Sequence, residues 1–261
     1  MKIIEEYNEF TWDMVRALPQ AYYHKLNNIP YKVSCKPGLS DIYYFSSNIE
    51  EQHIFREIND SSTYSHSRPH FTLNKWTPPP LKGKYKDVIK FKKPTVVIQN
   101  KYTLEWESGP FNYFPLEVLD ELFKYLSKNY TIIYIRPLGN SKGYYKDENK
   151  IQEFNDYKFI ADHHPYVYTL EYFLQKYPDL TYNQIQFYLE ASSEKHLTVS
   201  GGSACVASYF GGDVIIFDSP NGIGAGRGIW KTDSWLKYLG EANIIGVNDY
   251  KTLINTVENR W

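Results

Sequence analysis

The sequence predicts an α/β protein: parallel sheet, helices on both faces, two lobes with the first reduced. Three observations carry that prediction. From about residue 93 onward, short apolar runs alternate with segments of helical periodicity, the rhythm of a covered parallel sheet. A Ser-Gly-Gly-Ser turn at Ser200–Ser203 joins an apolar run to a segment of small residues, as strand-turn-helix units do. A triple proline at Pro78–Pro80, followed by LKGKYKD, is a stiff spacer, and it divides the chain into residues 1–92 and 93–261.

In the first part, Phe10–Asn27 has helical character with a kink expected at Pro19. Tyr31–Cys35 and Ile42–Ser46 read as short buried strands. Asn48–Ile58 reads as a helix with acidic residues in its first turn, and SSTYSHSRPHF as a loop. In the second part, Thr95–Gln99 and Thr131–Ile135 are apolar strands flanking an amphipathic helix over Leu116–Asn129. Phe159–Ala161 and Val167–Thr169 are short strand candidates, and Asn183–Ala191 is a helix. His196–Val199, the glycine turn, a helix and Val214–Phe217 follow, before a strand at Ile244–Val247 and a helix at Tyr250–Asn259 capped by Asn248-Asp249.

Composition narrows the function. The 261 residues fit one large or two small domains, and 42% hydrophobic with 23% charged residues is the balance of a soluble packed protein. A net charge of −1 argues against a dedicated nucleic-acid or anionic-membrane binder. No apolar run reaches the length of a membrane span and no signal peptide opens the chain, so a protein of the cytoplasm, or of the cytoplasmic face of a membrane, is expected. Cys35 and Cys205 are too few for a disulfide framework. Metal use is not indicated: His163 and His164 are adjacent and point apart, and Asp147–Asn149 in a polar loop is no Asp-x-Asp at a strand end.

Ligands of parallel sheets sit beyond the carboxyl ends of the strands. Asn100-Lys101 follows TVVIQ, Arg136 follows TIIYI, and Ser200, Gly201, Gly202 and Ser203 follow HLTV. Two cations and a helix N-terminus, with Ser203 at or near its cap, are a set that neutralises a diphosphate. Asp218 and Asn221, just past the next strand, are placed to bind sugar hydroxyls. NGIGAGRG at Asn221–Gly228 reads as a loop able to close over a ligand, with Arg227 reaching a phosphate.

The C-terminal half resembles the donor-binding domain of glycosyltransferases with the GT-B fold. The resemblance rests on Gln99-Asn100-Lys101, the Gly-Gly-Ser turn opening a helix, and the ending ANIIGVNDYKTLINTVEN, and it spans about Lys93 to Trp261. It implies two Rossmann-like lobes and a nucleotide-sugar donor held by Lys101, Gly201, Gly202 and Ser203, with Arg136 beside them. It implies a glycan hydroxyl acceptor, no bound cofactor, and a compact microbial or virus-encoded enzyme. An inverting, metal-independent transfer needs a base, for which Glu105 beside Trp106, Asp41 and Glu51 are candidates; His53, His66 and His70 are weaker ones. Trp106 or Tyr113 would stack on a sugar or base. A nucleotide-sugar epimerase of the same fold and a non-enzymatic carbohydrate-binding protein are the competing expectations.

Overall fold

A computed structural model describes residues 1–5, 10–52, 75–104, 109–138, 151–221 and 228–261. Two parallel sheets organise the chain. The smaller has the order β1-β2-β3, from β1 (Lys2–Glu5), β2 (Tyr31–Cys35) and β3 (Ile49–Glu51). The larger has six strands in the order β6-β5-β4-β7-β8-β9. These are β4 (Thr95–Gln99), β5 (Thr131–Ile135), β6 (Tyr168–Thr169), β7 (Lys195–Val199), β8 (Asp213–Phe217) and β9 (Asn243–Val247). Every pairing among them is parallel. The chain starts in the middle at β4, winds outward through β5 and β6, then returns to β7 and winds the other way. That is the doubly wound order of a dinucleotide-type lobe, with its reversal between β4 and β7.

Helices cover both faces. On one, α4 (Leu116–Leu126), α5 (Asp156–His163) and α10 (Tyr250–Arg260) bury Leu119, Ile160 and Leu253 against Val96, Ile98 and Leu197. On the other lie α6 (Leu170–Lys176), α7 (Tyr182–Ala191) and α8 (Gly202–Phe210). Thr181 caps α7 in a reciprocal box with Gln184. The short α9 (Lys237–Gly240) packs beside α8 through Leu239. One apolar core runs across both lobes, joining Ile4, Met14 and Val33 to Ala204, Val206, Tyr209 and Phe210 of α8. The small residues of α8 permit this, because a helix gripped on two sides has no room for long side chains.

The N-terminal helical run is α1 (Phe10–Trp12), a π-helical turn over Asp13–Ala17, and α2 (Leu18–Leu26). The kink expected at Pro19 is thus a change of register. Proline has no N–H to continue the i→i−4 ladder, and the turn just before it widens to i→i−5. Other expectations fail for equally local reasons. Ile42–Ser46 is not a strand: Ser40–Tyr43 forms a 3₁₀ turn that buries Ile42 and Tyr43, and a short apolar run alone does not separate the two. Asn48–Ile58 is not a helix at its start, where Ile49–Glu51 pairs with β2 and Glu50 forms an ion pair with Lys32; from His53 it lies outside the described residues. Phe159–Ala161 lies inside α5, where Lys158 and Asp162 pair one turn apart at 2.5 Å. The spacer after the prolines forms α3 (Leu81–Tyr85), which buries Leu81 and Tyr85 in the shared core. Among the described residues, no helix is long and apolar enough to cross a membrane.

Gly212, between α8 and β8, sits at φ 75°, and a Cβ there would lie 2.2 Å from the Glu194 carbonyl oxygen. Gly212→Ala is expected to lower unfolding free energy by about 3 kcal/mol or more, since strain and backbone overlap add. Chemical denaturation checks this; an unchanged midpoint would show that the turn relaxes freely.

Candidate functional site

The site begins with the reversal of strand order. β4 sends its chain to one face of the sheet and β7 to the other, so a crevice opens between their carboxyl ends. Gln99 ends β4 and Lys101 follows it; Val199 ends β7 and the glycine turn follows it. Gly201 takes φ 129° and is itself the N-cap of α8, so Ser203 lies inside the first turn, two residues past the cap. A side chain would strain that conformation, which explains why glycine stands there. A Cβ built on Gly201 would meet the Lys101 ammonium at 3.4 Å. The sequence places these residues on two strand ends 100 positions apart; the fold brings the cation onto the glycine. The Ala204 N–H donates to the Gly201 carbonyl at 3.2 Å, so the amides of Gly202 and Ser203 precede the first intrahelical bond of a nine-residue helix. The N-terminal turn amides and the ammonium offer positive charge to one small region.

Asn100 is not a ligand-facing group. It is 1% exposed and all its side-chain capacity is used. Its Oδ1 accepts the N–H of Lys101 and of Phe114, both at 2.9 Å. Its Nδ2 donates to the Phe114 carbonyl and to the Tyr134 hydroxyl oxygen, both at 3.0 Å. The residue therefore fixes the backbone at Lys101 and ties down the loop before α4.

Arg136 corrects the expectation in the same way. Only 3% of it is exposed, and it is gripped bidentately by Asp156 through Nε and through Nη2 (2.6 Å to Oδ1). Asp156 also accepts the Tyr134 hydroxyl at 2.5 Å, and Tyr157 donates its hydroxyl to the Arg136 carbonyl at 2.7 Å. Nη2 also donates to the Phe154 carbonyl at 3.3 Å, so the Nε and Nη2 hydrogens are committed inside the protein. Burial pushes the Tyr134 hydroxyl far above its ordinary pKa, so it stays a donor to Asp156. The chain Arg136–Asp156–Tyr134–Asn100 is thus a buried brace ending on the N–H of Lys101.

Ser200 is likewise 3% exposed, and its N–H donates to the Phe217 carbonyl at 2.8 Å. Asp218 is half-buried and Asn221 exposed, both one strand away from the crevice. Sequence reading missed Asn112. Buried, it accepts the Ser219 N–H at 2.7 Å and stitches the loop before α4 to the end of β8. Tyr113 packs edge-on against Tyr102 at 4.9 Å between ring centres, and Tyr102 stacks on Phe154 at 4.6 Å, so these rings form a knot beside Lys101. Glu105, Trp106, His53, His66, His70, Asp147–Asn149 and Arg227 lie outside the described residues.

The smaller lobe faces this crevice with its own carboxyl edge. Residues following β1 cover the glycine turn: a Cβ on Gly202 would meet the Phe10 ring at 3.2 Å and the Thr11 hydroxyl at 3.4 Å. Residues following β2 reach the first turn of α7, where Asn183 donates to the Gly38 carbonyl at 2.8 Å. Two residues beyond Thr11, Asp13 is fully buried in an ion pair with Lys36, which directly follows β2. Nothing in the sequence pattern marked that pair, since the two residues are 23 positions apart and each reads as an ordinary surface charge. Asp41 is half-buried between Gln184, Glu51 and Lys84; burial raises its carboxyl pKa, against a lowering hydrogen bond with Gln184. Glu51 is exposed, with Oε1 accepting the Ser40 N–H at 3.3 Å. Among the described residues, no three His, Cys, Asp or Glu side chains are grouped to hold a metal.

Comparison with known proteins places the fold. No family model and no curated protein sequence matches the chain. Among solved structures, the chain is similar to the ADP-heptose lipopolysaccharide heptosyltransferase II of E. coli. There the TM-score is 0.50 at 11% identity over 87% of both chains. It is also similar to a glycosyl transferase of family 9 from Veillonella parvula, with TM-score 0.53 at 8% identity over 99% of this chain and 88% of that one. The chain shares their GT-B-like fold, and identities so low establish the fold alone.

Two outcomes follow from the buried brace. Arg136→Ala and Asp156→Ala each lose about 3–5 kcal/mol of stability, because each strands a buried charge, whereas the double variant loses less than the two added together; urea denaturation of the cycle tests it. Burial also holds the Glu171 carboxyl above its ordinary range. A raised folded pKa means that ionisation opposes folding as pH climbs past the unfolded value of about 4.3. Glu171→Gln is therefore expected to raise the thermal midpoint at neutral pH, with the gain vanishing near pH ~4.

Proposed function

We propose that this protein is a glycosyltransferase that moves a sugar from a nucleotide-diphosphate donor to a hydroxyl of a glycan acceptor. One observation carries the proposal: the Lys101 ammonium stands against Gly201 at the strand-order reversal of a GT-B-like lobe. A diphosphate there meets the amides of Gly202 and Ser203 on one side and the ammonium on the other. Both strengthen as the bond to the sugar breaks and negative charge gathers on the leaving diphosphate, which is how such a site lowers a barrier. Asp218 and Asn221 are the nearest proposed contacts for the donor's hydroxyls. Asn100 and Arg136 leave the list of donor contacts and become the support beneath Lys101.

The acceptor enters from the smaller lobe, which closes over the glycine turn through Phe10 and Thr11. Its hydroxyl needs a base from that side. Asp13 is favoured by position, two residues from Thr11 on the edge that faces the donor. Asp41 is favoured by basicity, since burial lifts its pKa. Asp13 must exchange its Lys36 partner for the acceptor hydroxyl to act, a rearrangement that acceptor binding would have to drive. The transfer is read as inverting and metal-independent. The solved neighbours carry printed names of a heptosyltransferase and a family 9 glycosyl transferase, and both names favour transfer over epimerisation.

Calorimetry against uridine, guanosine, adenosine and cytidine diphosphates tests the donor site. At least one should bind, and Lys101→Ala should weaken it about tenfold or more with the thermal midpoint unchanged. Gly201→Val should weaken it further, because strain and bulk both intrude. Failure of every nucleotide to bind, or full affinity in Lys101→Ala, would overturn the reading. Asp13→Asn and Asp41→Asn separate the two bases: the true base loses about a hundredfold or more in turnover while nucleotide affinity holds.

A further inference from the structure

The face of the large lobe away from the proposed donor crevice, at the β6 edge of the sheet, carries a second distinctive surface. The chain has a net charge of −1, yet residues 82–93 hold six lysines against a single aspartate. Two of the six reach distant parts of the chain: Lys82 pairs with Glu194 at 2.6 Å, and Lys84 lies over the Tyr44 ring at 5.6 Å. From Val88 onward the segment alternates. Ile89 and Phe91 turn inward onto Leu170 and Phe173, while Val88, Lys90 and Lys92 face outward and are exposed, and Lys93 follows them. Lys90 retains 70% of its side-chain exposure despite Asp87 at 3.3 Å.

Beside this basic strip lies an aromatic one. Phe91 contacts Tyr168 with ring centres 6.2 Å apart, and Tyr168 contacts Tyr172 at 5.2 Å. Both tyrosines are exposed, at 40% and 44%. The Lys176 ammonium, also exposed, stands over Tyr172 at 5.7 Å. β6 is a two-residue edge strand, so the surface is an outer rim rather than a closed groove. Lysines on flexible stems alternate here with rings that have an apolar face and a polar tip. Such side chains suit the boundary of a bilayer, where tyrosines settle at headgroup depth and ammonium groups among lipid phosphates. The cations are all lysines, point charges, rather than arginines, whose planar fork grips single phosphates bidentately. An exposed valine among them adds apolar surface that a nucleic acid would not reward.

We propose that the β6 edge, through Val88, Lys90, Lys92, Lys93, Tyr168 and Tyr172, docks the protein on an anionic lipid bilayer. The docking is peripheral and reversible, since a few cations and two rings bind without any inserted segment. It stands apart from the donor site: nucleotide binding tests one and lipid binding the other.

Sedimentation with vesicles tests it. The whole chain should bind phosphatidylcholine vesicles containing about one-third phosphatidylglycerol far better than phosphatidylcholine alone, and added salt should weaken that binding. Lys90→Glu/Lys92→Glu/Lys93→Glu should lower the partition coefficient about tenfold or more, and Tyr168→Ser/Tyr172→Ser severalfold, with nucleotide affinity unchanged. Should the triple variant misfold, Lys92→Ala/Lys93→Ala titrated against salt decides the same question. Equal binding to both vesicle types, or charge reversal without effect, overturns the proposal. Binding to double-stranded DNA as tight as to the vesicles, with the tyrosine variant unaffected, also overturns it and assigns the strip to polyanions at large.

Discussion

The reversal of strand order between β4 and β7 is the constraint on which the rest of this molecule depends. Right-handed crossovers from two neighbouring parallel strands to opposite faces leave no connection across their ends. A crevice exists there whatever the side chains are. The residues that occupy its rim are then forced together, and here they are a lysine and a left-handed glycine that opens a helix. The proposed affinity for an anion rests on the topology first and on residue chemistry second.

Much of the buried polar structure serves to hold that rim still. A lysine on a loop has about 2 kcal/mol of rotamer freedom and a mobile backbone beneath it. The brace from Arg136 and Asp156 through Tyr134 to Asn100 removes the backbone part of that freedom. Asn112 does the same for the loop across β8. Each member sits in a low-dielectric interior where its bonds are strong and an unmade bond is costly. The arrangement is rigid in consequence, and a rigid site of the proposed kind needs no reorganisation when charge develops. The smaller lobe contributes by contact with α8. Its first helical run presses on Gly202, and its Met14 carbonyl accepts the Tyr209 hydroxyl at 2.7 Å, so the two lobes share one core.

The charges divide by role and by place. Two ion pairs near the crevice are sunk into the protein, Asp13 with Lys36 and Arg136 with Asp156, while Lys101 stays half-buried at its rim. The charges at the β6 edge stand out in solvent beside exposed rings. Burial converts a charge into geometry, since a paired ion in a dry interior has one arrangement, whereas exposure leaves it available to a partner.

The sequence by itself determined the alternation of strands and helices in the second lobe, the glycine turn, and the position of Lys101 after its strand. Those features are local: apolar period, turn chemistry and strand ends are written in neighbouring residues. It misassigned Ile42–Ser46 and Phe159–Ala161, because a short apolar run buries equally well as a turn, a helix or a strand. It also read Arg136 and Asn100 as ligand contacts, since both follow apolar strands as a ligand-binding residue would. Only the tertiary structure decided that these two belong to the support and that Lys101 faces the glycine. The physical reason is that a polar side chain's role depends on what else occupies its reach. For Arg136 that neighbour is Asp156, 20 residues on, and for Lys101 it is Gly201, on another strand end.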